Sequence, residues 1–272
     1  MSNNNHLDFF PLKSALDEKL KSFIDTANKS LIDWFAETDN SSPLPVSSNF
    51  NFDVNIPNTG LPHSDLIEGI EEIMKYSYRP AHPGALAHLD PPPLTSSIVS
   101  EMICAGLNNN LLANELSPSL SDLENNLCRS ICKVLNFPDF SGGILASGGS
   151  LNNLIALVAA RNSALLRNDP SAVVLSSEDS HGSVDKCLNI MGLNKDSNQK
   201  IPTNSNGQIS LSLVREKLEF LKKSNRKCIA IIATAGTTVR GAIDPISELV
   251  DICKKYNIWL HIDASIGGVY AL

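Results

Sequence analysis

The chain has 272 residues, enough for one large core with appendages, and we expect one large domain rather than two small ones. Its formal charge of −7 comes without any long run of Lys or Arg, so neither a nucleic acid nor an anionic membrane surface is an expected partner. A small-molecule ligand fits this composition better.

The amino terminus and the cysteines indicate the compartment. The first five residues are polar and lead into a charged amphipathic stretch, unlike a secretory signal, and no apolar run approaches the roughly 20 residues that span a bilayer. The six cysteines show no Cys-x-x-Cys spacing, so we expect reduced thiols that pack as small hydrophobes. The sequence therefore predicts a cytoplasmic protein with no membrane partner and no metal site.

Residues 1–79 are predicted to form a helical arm followed by a linker. Apolar residues at helical spacing predict one amphipathic helix from Leu12 to Phe35. Residues 38–63 are rich in Asn, Ser and Pro, which indicates an extended connector. Within that connector an alternating pattern is compatible with an edge strand through Phe50, Phe52, Val54 and Ile56.

A second helix is predicted from Leu66 to Met74, and two proline-containing segments follow it. The first is His82-Pro83-Gly84 and the second is the triple proline 91–93. Because proline is excluded from helix interiors, these segments predict a fixed surface loop.

From about residue 94 onward, helices alternate with short β-branched runs, which is typical of a parallel sheet covered by helices. Thr95 or Ser96 is expected to cap a helix that runs to about Leu107. Ser117, followed by Pro118, is expected to cap another that runs to about residue 135.

Three short apolar runs predict strands buried on both faces, at residues 172–175, 228–234 and 258–263. Between the last two, Asp244 is expected to cap a helix that begins at Pro245 and ends in two lysines. These elements predict a right-handed β-α-β unit in an α/β fold.

Ligands of open α/β sheets collect beyond the carboxyl ends of the strands, so the residues after each apolar run are the candidates. Ser147-Gly148-Gly149-Ser150 precedes a helical stretch at 151–166, and free amides at a helix start can seat a phosphate. A Gly-Gly turn before a helix is more often structural, however, and this one lacks the dinucleotide and P-loop patterns.

Three further groups each allow two interpretations. His181 is either a surface histidine or a flat ring that stacks on another ring. The turn from Thr234 to Thr238 is either ordinary turn chemistry or part of a ligand site. Asp263 is either a local cap or salt-bridge partner, or an anion that keeps a pyridine nitrogen protonated.

Four motifs in order carry a family resemblance: Ser-Gly-Gly-Ser-Leu-Asn-Asn-Leu, Ser-x-x-x-His, Thr-x-Gly-Thr-Thr-x-x-Gly-Ala-x-Asp and Trp-Leu-His-Ile-Asp-Ala. Over roughly residues 80–272 the chain resembles the pyridoxal-phosphate-dependent group II amino acid decarboxylases. The resemblance implies the aspartate-aminotransferase-type fold, known as fold type I. Its large domain, with a mostly parallel sheet, would occupy residues 80–272, incomplete at the carboxyl end. It also implies pyridoxal 5′-phosphate as cofactor and a homodimer.

The resemblance implies six cofactor-binding residues, which are Gly149, Ser150, His181, Thr238, Asp263 and Ala264. Gly149 and Ser150 would hold the phosphate, His181 would stack over the cofactor ring, and Asp263 would bind its pyridine nitrogen. His181 and Asp263 are the implied catalytic residues. The implied reaction converts an L-amino acid to an amine and carbon dioxide.

The substrate pocket is less well defined, with the candidates His82, Asp90 and Pro91. Aromatic-type members carry a Pro-Thr pair in this loop, whereas Asp90 and Pro91 stand there in this chain. The sequence leaves open whether the substrate is aspartate, glutamate, an aromatic amino acid or diaminobutyrate.

The family attaches its cofactor to a lysine shortly beyond the His-x-Asp-Ala strand, and no lysine follows Lys255 here. We therefore expect this sequence to be the amino-terminal portion of a longer enzyme and to be inactive by itself. The alternatives are another lyase or a transaminase of the same fold and cofactor, and a non-catalytic or split-enzyme module that binds the cofactor. A nucleotide-binding protein is disfavoured by the missing glycine fingerprint.

Overall fold

The computed structural model describes residues 10–12, 15–45, 60–86 and 91–271. The chain divides into two compact units, one ending at Asn108 and the other beginning at Asn109. The boundary expected near residue 79 stays a prediction. Among the described residues, no helix combines the length and the apolar character that crossing a bilayer requires.

The described part of the first unit contains the α-helices α1 (Glu18–Ala36), α2 (His63–Lys75) and α3 (Thr95–Leu107). The expected start of the first helix at Leu12 is wrong, because the Asp17 carboxylate accepts from the Leu20 amide at 3.0 Å and caps the helix there. Helix α1 meets α2 through the Trp34 indole, which donates to the Met74 carbonyl at 2.9 Å. The strand candidate at 50–56 lies outside the described residues.

Helix α3 begins without a side-chain cap. Its N-cap residue is Leu94, so the expectation that Thr95 or Ser96 caps the helix is wrong. A serine hydroxyl nearby is used differently, since Ser97 Oγ donates to the Leu94 carbonyl at 2.7 Å. The helix begins at Thr95 itself, earlier than that expectation implied, and Pro91, Pro92 and Pro93 disfavour a still earlier start.

The second unit is an α/β layer structure. Its helices are α4 (Pro118–Val134), α5 (Gly149–Ser163), α6 (Ser183–Ile190), α7 (Leu211–Lys223) and α8 (Ile246–Tyr256). Its strands are β1 (Val173–Ser177), β2 (Asn198–Ile201), β3 (Cys228–Thr234) and β4 (Trp259–Asp263). The strands pair in the order β2-β1-β3-β4, and every pair is parallel.

The three predicted strands are all present, but they differ in burial. Strands β1 and β3 are almost fully buried, as expected. In β4, Trp259 is 41% exposed and Ile262 is 39% exposed, so the expectation of burial on both faces is wrong there. Strand β4 pairs on one side only within the described sheet.

The core lies on both faces of the sheet. Along β3, Ile231 and Ala233 join a cluster with α7 and α8, whereas Ala230 and Ile232 join a cluster with α5 and α6. Successive side chains of a strand point to opposite faces. Thr234, the last residue of β3, therefore lies on the face that α5 and α6 cover.

Asp244 does not cap α8, contrary to the sequence-based expectation. Pro245 is the N-cap residue, without a side-chain hydrogen bond. The buried Asp244 carboxylate instead accepts from the Ile209 amide at 2.7 Å and from the Thr234 amide at 2.8 Å. Burial raises the pKa of Asp244, although these two backbone amides counteract part of that rise. Asp244 thus ties the end of β3 to the segment before α7.

We predict that Ile231→Ala lowers the free energy of unfolding by about 2–5 kcal/mol, because it empties space in the sheet core. Ile190→Ala is the matched control, since Ile190 lies exposed at the end of α6 and should change stability by less than about 0.5 kcal/mol. Urea unfolding followed by circular dichroism measures both. Equal costs for the two variants would contradict the layered core.

Candidate functional site

Several element ends meet at the carboxyl edge of the sheet, on the face that α5 and α6 cover. Strands β1, β3 and β4 end there at Ser177, Thr234 and Asp263, and parallel pairing sets Thr234 beside Asp263. Helix α5 begins at Gly149 and contacts both β3 and β4. This edge is where open α/β sheets bind ligands.

Asp263 is a buried anion, only 8% exposed. Its Oδ2 accepts from Asn153 Nδ2 at 3.0 Å, and its Oδ1 accepts from Ser265 Oγ at 2.8 Å and from the Ser265 amide at 3.2 Å. Burial is the largest single influence and raises the pKa, but the bonds from Asn153 and Ser265 together hold the pKa of Asp263 below its ordinary value. Asp263 is therefore ionised at neutral pH.

Asn153, on the first turns of α5, is the centre of this cluster. It is 4% exposed, and its Nδ2 donates both to Asp263 and to Ser183 Oγ, each at 3.0 Å. Its Oδ1 pairs with His261 Nε2 at 2.8 Å. Burial lowers the pKa of His261, although the Asp263 charge counteracts part of that fall, so the imidazole is neutral at pH 7.

Asn153 was not among the residues singled out from the sequence, yet a signal was present. It lies four and seven residues before Leu157 and Ala160, which are buried on the same face of α5. An amide on a buried helix face requires hydrogen-bond partners, because burial without them is costly. The helical spacing in the sequence therefore indicates that Asn153 is a buried polar side chain that requires hydrogen-bond partners.

His181 lies between β1 and α6, with an exposed ring. Its Nδ1 contacts Ser183 Oγ at 2.8 Å and accepts from the Ser183 amide at 3.2 Å. Ser183 is itself buried and also bonds Asn153. The structure thus brings the two predicted catalytic residues, His181 and Asp263, into one hydrogen-bonded cluster.

The start of α5 presents free backbone donors. Gly148 has φ of +129°, which an L side chain rarely adopts, and its carbonyl accepts from the amides of Leu151 and Asn152. The amides of Gly149 and Ser150 have no partner within the described chain. Two unpaired amides at the positive end of a helix can bind an anion.

Gly149 also packs closely against the segment after β4. A Cβ at Gly149 would lie 2.8 Å from Ser265 Oγ, and a Cβ at Gly267 would overlap the Ala235 carbonyl, to which the Gly267 amide donates at 3.0 Å. The absence of both side chains lets α5, the turn after β3 and the segment after β4 approach one another.

Two buried hydroxyls near the ends of β1 and β3 have no hydrogen-bond partner within the described chain, Ser180 Oγ and Thr234 Oγ1, whereas the nearby Asp179 Oδ2 forms an ion pair with Arg240 Nε at 3.5 Å. Thr234 lies beside Asp263 in the strand register. A buried hydroxyl without a partner is costly, so Thr234 Oγ1 is available to a ligand or a water.

The chain has known relatives. The model of the pyridoxal-dependent decarboxylase conserved domain matches residues 45–272. This chain belongs to that family. A glutamate decarboxylase of Drosophila melanogaster is 32% identical over 226 residues, which is 79% of this chain and 44% of the relative. An aromatic-L-amino-acid decarboxylase of Bacillus atrophaeus is 30% identical over 232 residues, which is 82% of this chain and 48% of the relative. The chain spans about half the length of these curated relatives.

Solved structures confirm the predicted fold. The glutamate decarboxylase domain of diaminobutyrate-pyruvate transaminase and L-2,4-diaminobutyrate decarboxylase from Vibrio parahaemolyticus superposes with a TM-score of 0.88 at 22% identity, covering 98% of this chain and 62% of that one. Tryptophan decarboxylase of Catharanthus roseus gives 0.86 at 22% identity, covering 96% and 59%. The second unit is thus part of a fold type I large domain.

The cofactor of the family is pyridoxal 5′-phosphate, and the residues present fit it. The free amides at the start of α5 suit a phosphate. The ionised Asp263 suits a protonated pyridine nitrogen, because an opposite charge favours the charged form of a ring. The unpartnered Thr234 hydroxyl beside Asp263 offers a further polar contact.

Two of the remaining predicted site residues, Thr238 and Ala264, make no hydrogen bond to this cluster within the described chain. Thr238 is exposed in the turn after β3. Ala264 follows Asp263 directly, and its carbonyl accepts from the Gly268 amide at 2.8 Å. His82 and Pro91 belong to the unit that ends at Asn108, and Asp90 lies outside the described residues. Their roles stay predictions.

We predict that Asp263 makes stability depend on pH. Its folded pKa is below the unfolded value of about 3.9, so its contribution is present above that value and is lost as the pH falls towards the folded pKa. Asp263→Asn should remove that part of the pH dependence of unfolding, which lies below about pH 5.

Asp251→Asn on α8 is the matched control, because Asp251 is exposed, and it should keep the wild-type pH profile. Urea unfolding at a series of pH values measures all three proteins. A pH profile of Asp263→Asn that matches the wild type would contradict the described environment of this carboxylate.

We predict that Gly149→Ala lowers the free energy of unfolding by about 1–3 kcal/mol, because its Cβ overlaps Ser265 Oγ. The cost should shrink when Ser265→Ala is combined with it, so a double-mutant cycle measures the contact. Gly106→Ala is the control, since nothing lies within 4 Å of its Cβ in α3. A cycle with no coupling would contradict the packing.

Proposed function

We propose that the whole protein converts an L-amino acid to an amine and carbon dioxide with pyridoxal 5′-phosphate as cofactor. The observation that carries this proposal is the buried carboxylate of Asp263, which Asn153 and Ser265 keep ionised. When bound, pyridoxal phosphate supplies an electron sink for the bond to the departing carboxylate. Asp263 would sustain that capacity by holding a proton on the pyridine nitrogen.

The start of α5 would hold the phosphate. The amides of Gly149 and Ser150 would donate to its oxygens, and the positive end of the helix dipole would favour the negative charge. The close packing of Gly149 on Ser265 supports this role. Ser265 also donates to Asp263, so this packing fixes the distance between the amides at the start of α5 and the Asp263 carboxylate.

His181 would cover one face of the cofactor ring. Ser183 supports this role, because its backbone amide and hydroxyl both bond Nδ1 and so restrict rotation of the imidazole. Thr238 and Ala264 would line the cofactor site, on the strength of the motif positions alone. His82, Asp90 and Pro91 stay proposals for the substrate pocket.

The substrate class is an L-amino acid of undetermined side chain. The names of the relatives include glutamate decarboxylase and aromatic-L-amino-acid decarboxylase, whose substrates differ in charge and size. A third relative, from Rhizobium meliloti, is an L-2,4-diaminobutyrate decarboxylase at 32% identity. We also propose a homodimer, which rests on the family resemblance.

The native protein, loaded with cofactor, is tested with L-glutamate, L-aspartate, aromatic L-amino acids and L-2,4-diaminobutyrate. We predict carbon dioxide and the matching amine in equal amounts from at least one of them, without any keto-acid partner. Asp263→Asn should lower turnover by orders of magnitude, because the ring nitrogen then loses its anionic partner. Asp251→Asn should match the wild type.

A requirement for a keto-acid partner would indicate a transaminase instead. Full turnover by Asp263→Asn would refute the assigned role. Binding of pyridoxal phosphate is measured beside turnover, by the absorbance of the bound cofactor.

A further inference from the structure

We propose that Asn153 and Ser183 are positioning residues that hold His181 in one tautomer, with its proton on Nε2. The Asp263 carboxylate accepts a hydrogen bond from Asn153, Asn153 donates a second one to Ser183, and Ser183 donates to His181. These hydrogen bonds are observed in the structure, whereas their importance for catalysis rests on the function proposed above.

The orientation of the Asn153 amide follows from its contact with Asp263. An ionised carboxylate only accepts hydrogen bonds, so the Asn153 atom that lies 3.0 Å from Asp263 Oδ2 is the donor Nδ2. The other terminal atom of Asn153 is then the oxygen. It lies 2.8 Å from His261 Nε2, which must carry a proton in order to donate to it.

Ser183 Oγ accepts a hydrogen bond from the same Asn153 amide. The amide nitrogen of Asn153 has two hydrogens, and the second points to Ser183 Oγ at 3.0 Å. Because Ser183 Oγ accepts this bond, its own proton is free to be donated onward. The neighbour available is His181 Nδ1 at 2.8 Å.

The contacts at Nδ1 determine which tautomer His181 adopts. Nδ1 is met by the Ser183 hydroxyl and also by the Ser183 backbone amide at 3.2 Å, which can only donate. A proton on Nδ1 would face that backbone hydrogen directly. Nδ1 is therefore the acceptor, and the proton of the neutral imidazole lies on Nε2.

This direction of bonding has a chemical consequence. The exposed imidazole presents an N–H donor at Nε2, so the ligand group that meets it must be an accepting oxygen or nitrogen. If the hydrogen bonds ran in the opposite direction, with the proton on Nδ1, Nε2 would be an acceptor instead. In this role Asn153 and Ser183 act through His181 and Asp263.

A purely structural role is the competing explanation for the buried Asn153. Under that explanation its replacement changes stability and leaves the tautomer of His181 unaltered, since no contact joins Asn153 to the His181 ring directly. The tautomer is therefore the readout that separates the two roles. Ring-nitrogen correlation spectra of protein labelled with nitrogen-15 histidine report it.

The experiment compares this chain with its Asn153→Leu and Ser183→Ala variants at a pH where the histidines are neutral. His181→Gln and His261→Gln assign the two sets of ring signals. We expect the wild type to have protonated Nε2 and bare Nδ1 at both positions. In Asn153→Leu and in Ser183→Ala, the His181 nitrogens should shift part of the way towards the averaged values of mixed tautomers, because the Ser183 hydroxyl no longer donates to Nδ1 in its fixed direction and only the backbone amide still does.

Asn152→Leu is the matched control, because Asn152 is the exposed neighbour of Asn153 on the same helix, and it should leave every ring signal unchanged. Ser183→Thr keeps the hydroxyl and should restore the wild-type signals of His181. Circular dichroism checks that each variant is folded. If Asn153→Leu fails to fold, Ser183→Ala and Ser183→Thr decide the question alone.

Two results overturn the inference: a wild-type His181 protonated on Nδ1, or His181 signals that ignore both Ser183→Ala and a folded Asn153→Leu. The function fails separately. If the native protein decarboxylates none of the amino acids while His181 follows Asn153 and Ser183, the proposed function is wrong and the hydrogen-bond chain stands. Intact decarboxylation with unresponsive His181 signals would instead leave the proposed function in place and refute the hydrogen-bond chain.

Discussion

The hydrogen bond between Asn153 and Asp263 is the contact on which the rest of the site depends. A buried carboxylate without partners would become neutral, because burial penalises its charged form. Asn153 reaches it from α5, and Ser265 reaches it from the segment after β4. The same amide contacts Ser183 at the start of α6 and His261 on β4. Asn153 thereby acts with Ser265 to keep Asp263 charged, and it joins two helices to the end of a strand.

Close backbone packing preserves that arrangement. The helix start at Gly149 leaves no space for a side chain beside Ser265, and Gly267 leaves none beside Ala235. The Asp244 carboxylate accepts from both the Thr234 amide and the Ile209 amide, so it also holds the last residue of β3 in place. The ends of the strands and the start of α5 are therefore held together by contacts within the chain itself, as a preorganised site requires.

The sequence predicted the parts of this fold that strong local signals specify. Apolar runs located β1, β3 and β4, and Pro118 marked the start of α4. Strand β2 was missed, because Asn198-Gln199-Lys200-Ile201 is a polar edge strand that tertiary pairing alone stabilises. Asp244 was misread for a related reason, since a carboxylate before a helix looks like a cap until the fold brings a distant amide such as that of Ile209 within reach.

Two aspartates at the same edge of the sheet show how environment separates roles. Asp244 and Asp263 are both buried, and burial alone raises the pKa of each. Asp244 receives two backbone amides but lies near the Asp179 charge, and its pKa remains raised. Asp263 receives Asn153 and both donors of Ser265, and its pKa is lowered. Asp263, kept charged by its donors, is the carboxylate that fits the role proposed for it against a ligand, whereas Asp244 accepts from two backbone amides and so braces the end of β3.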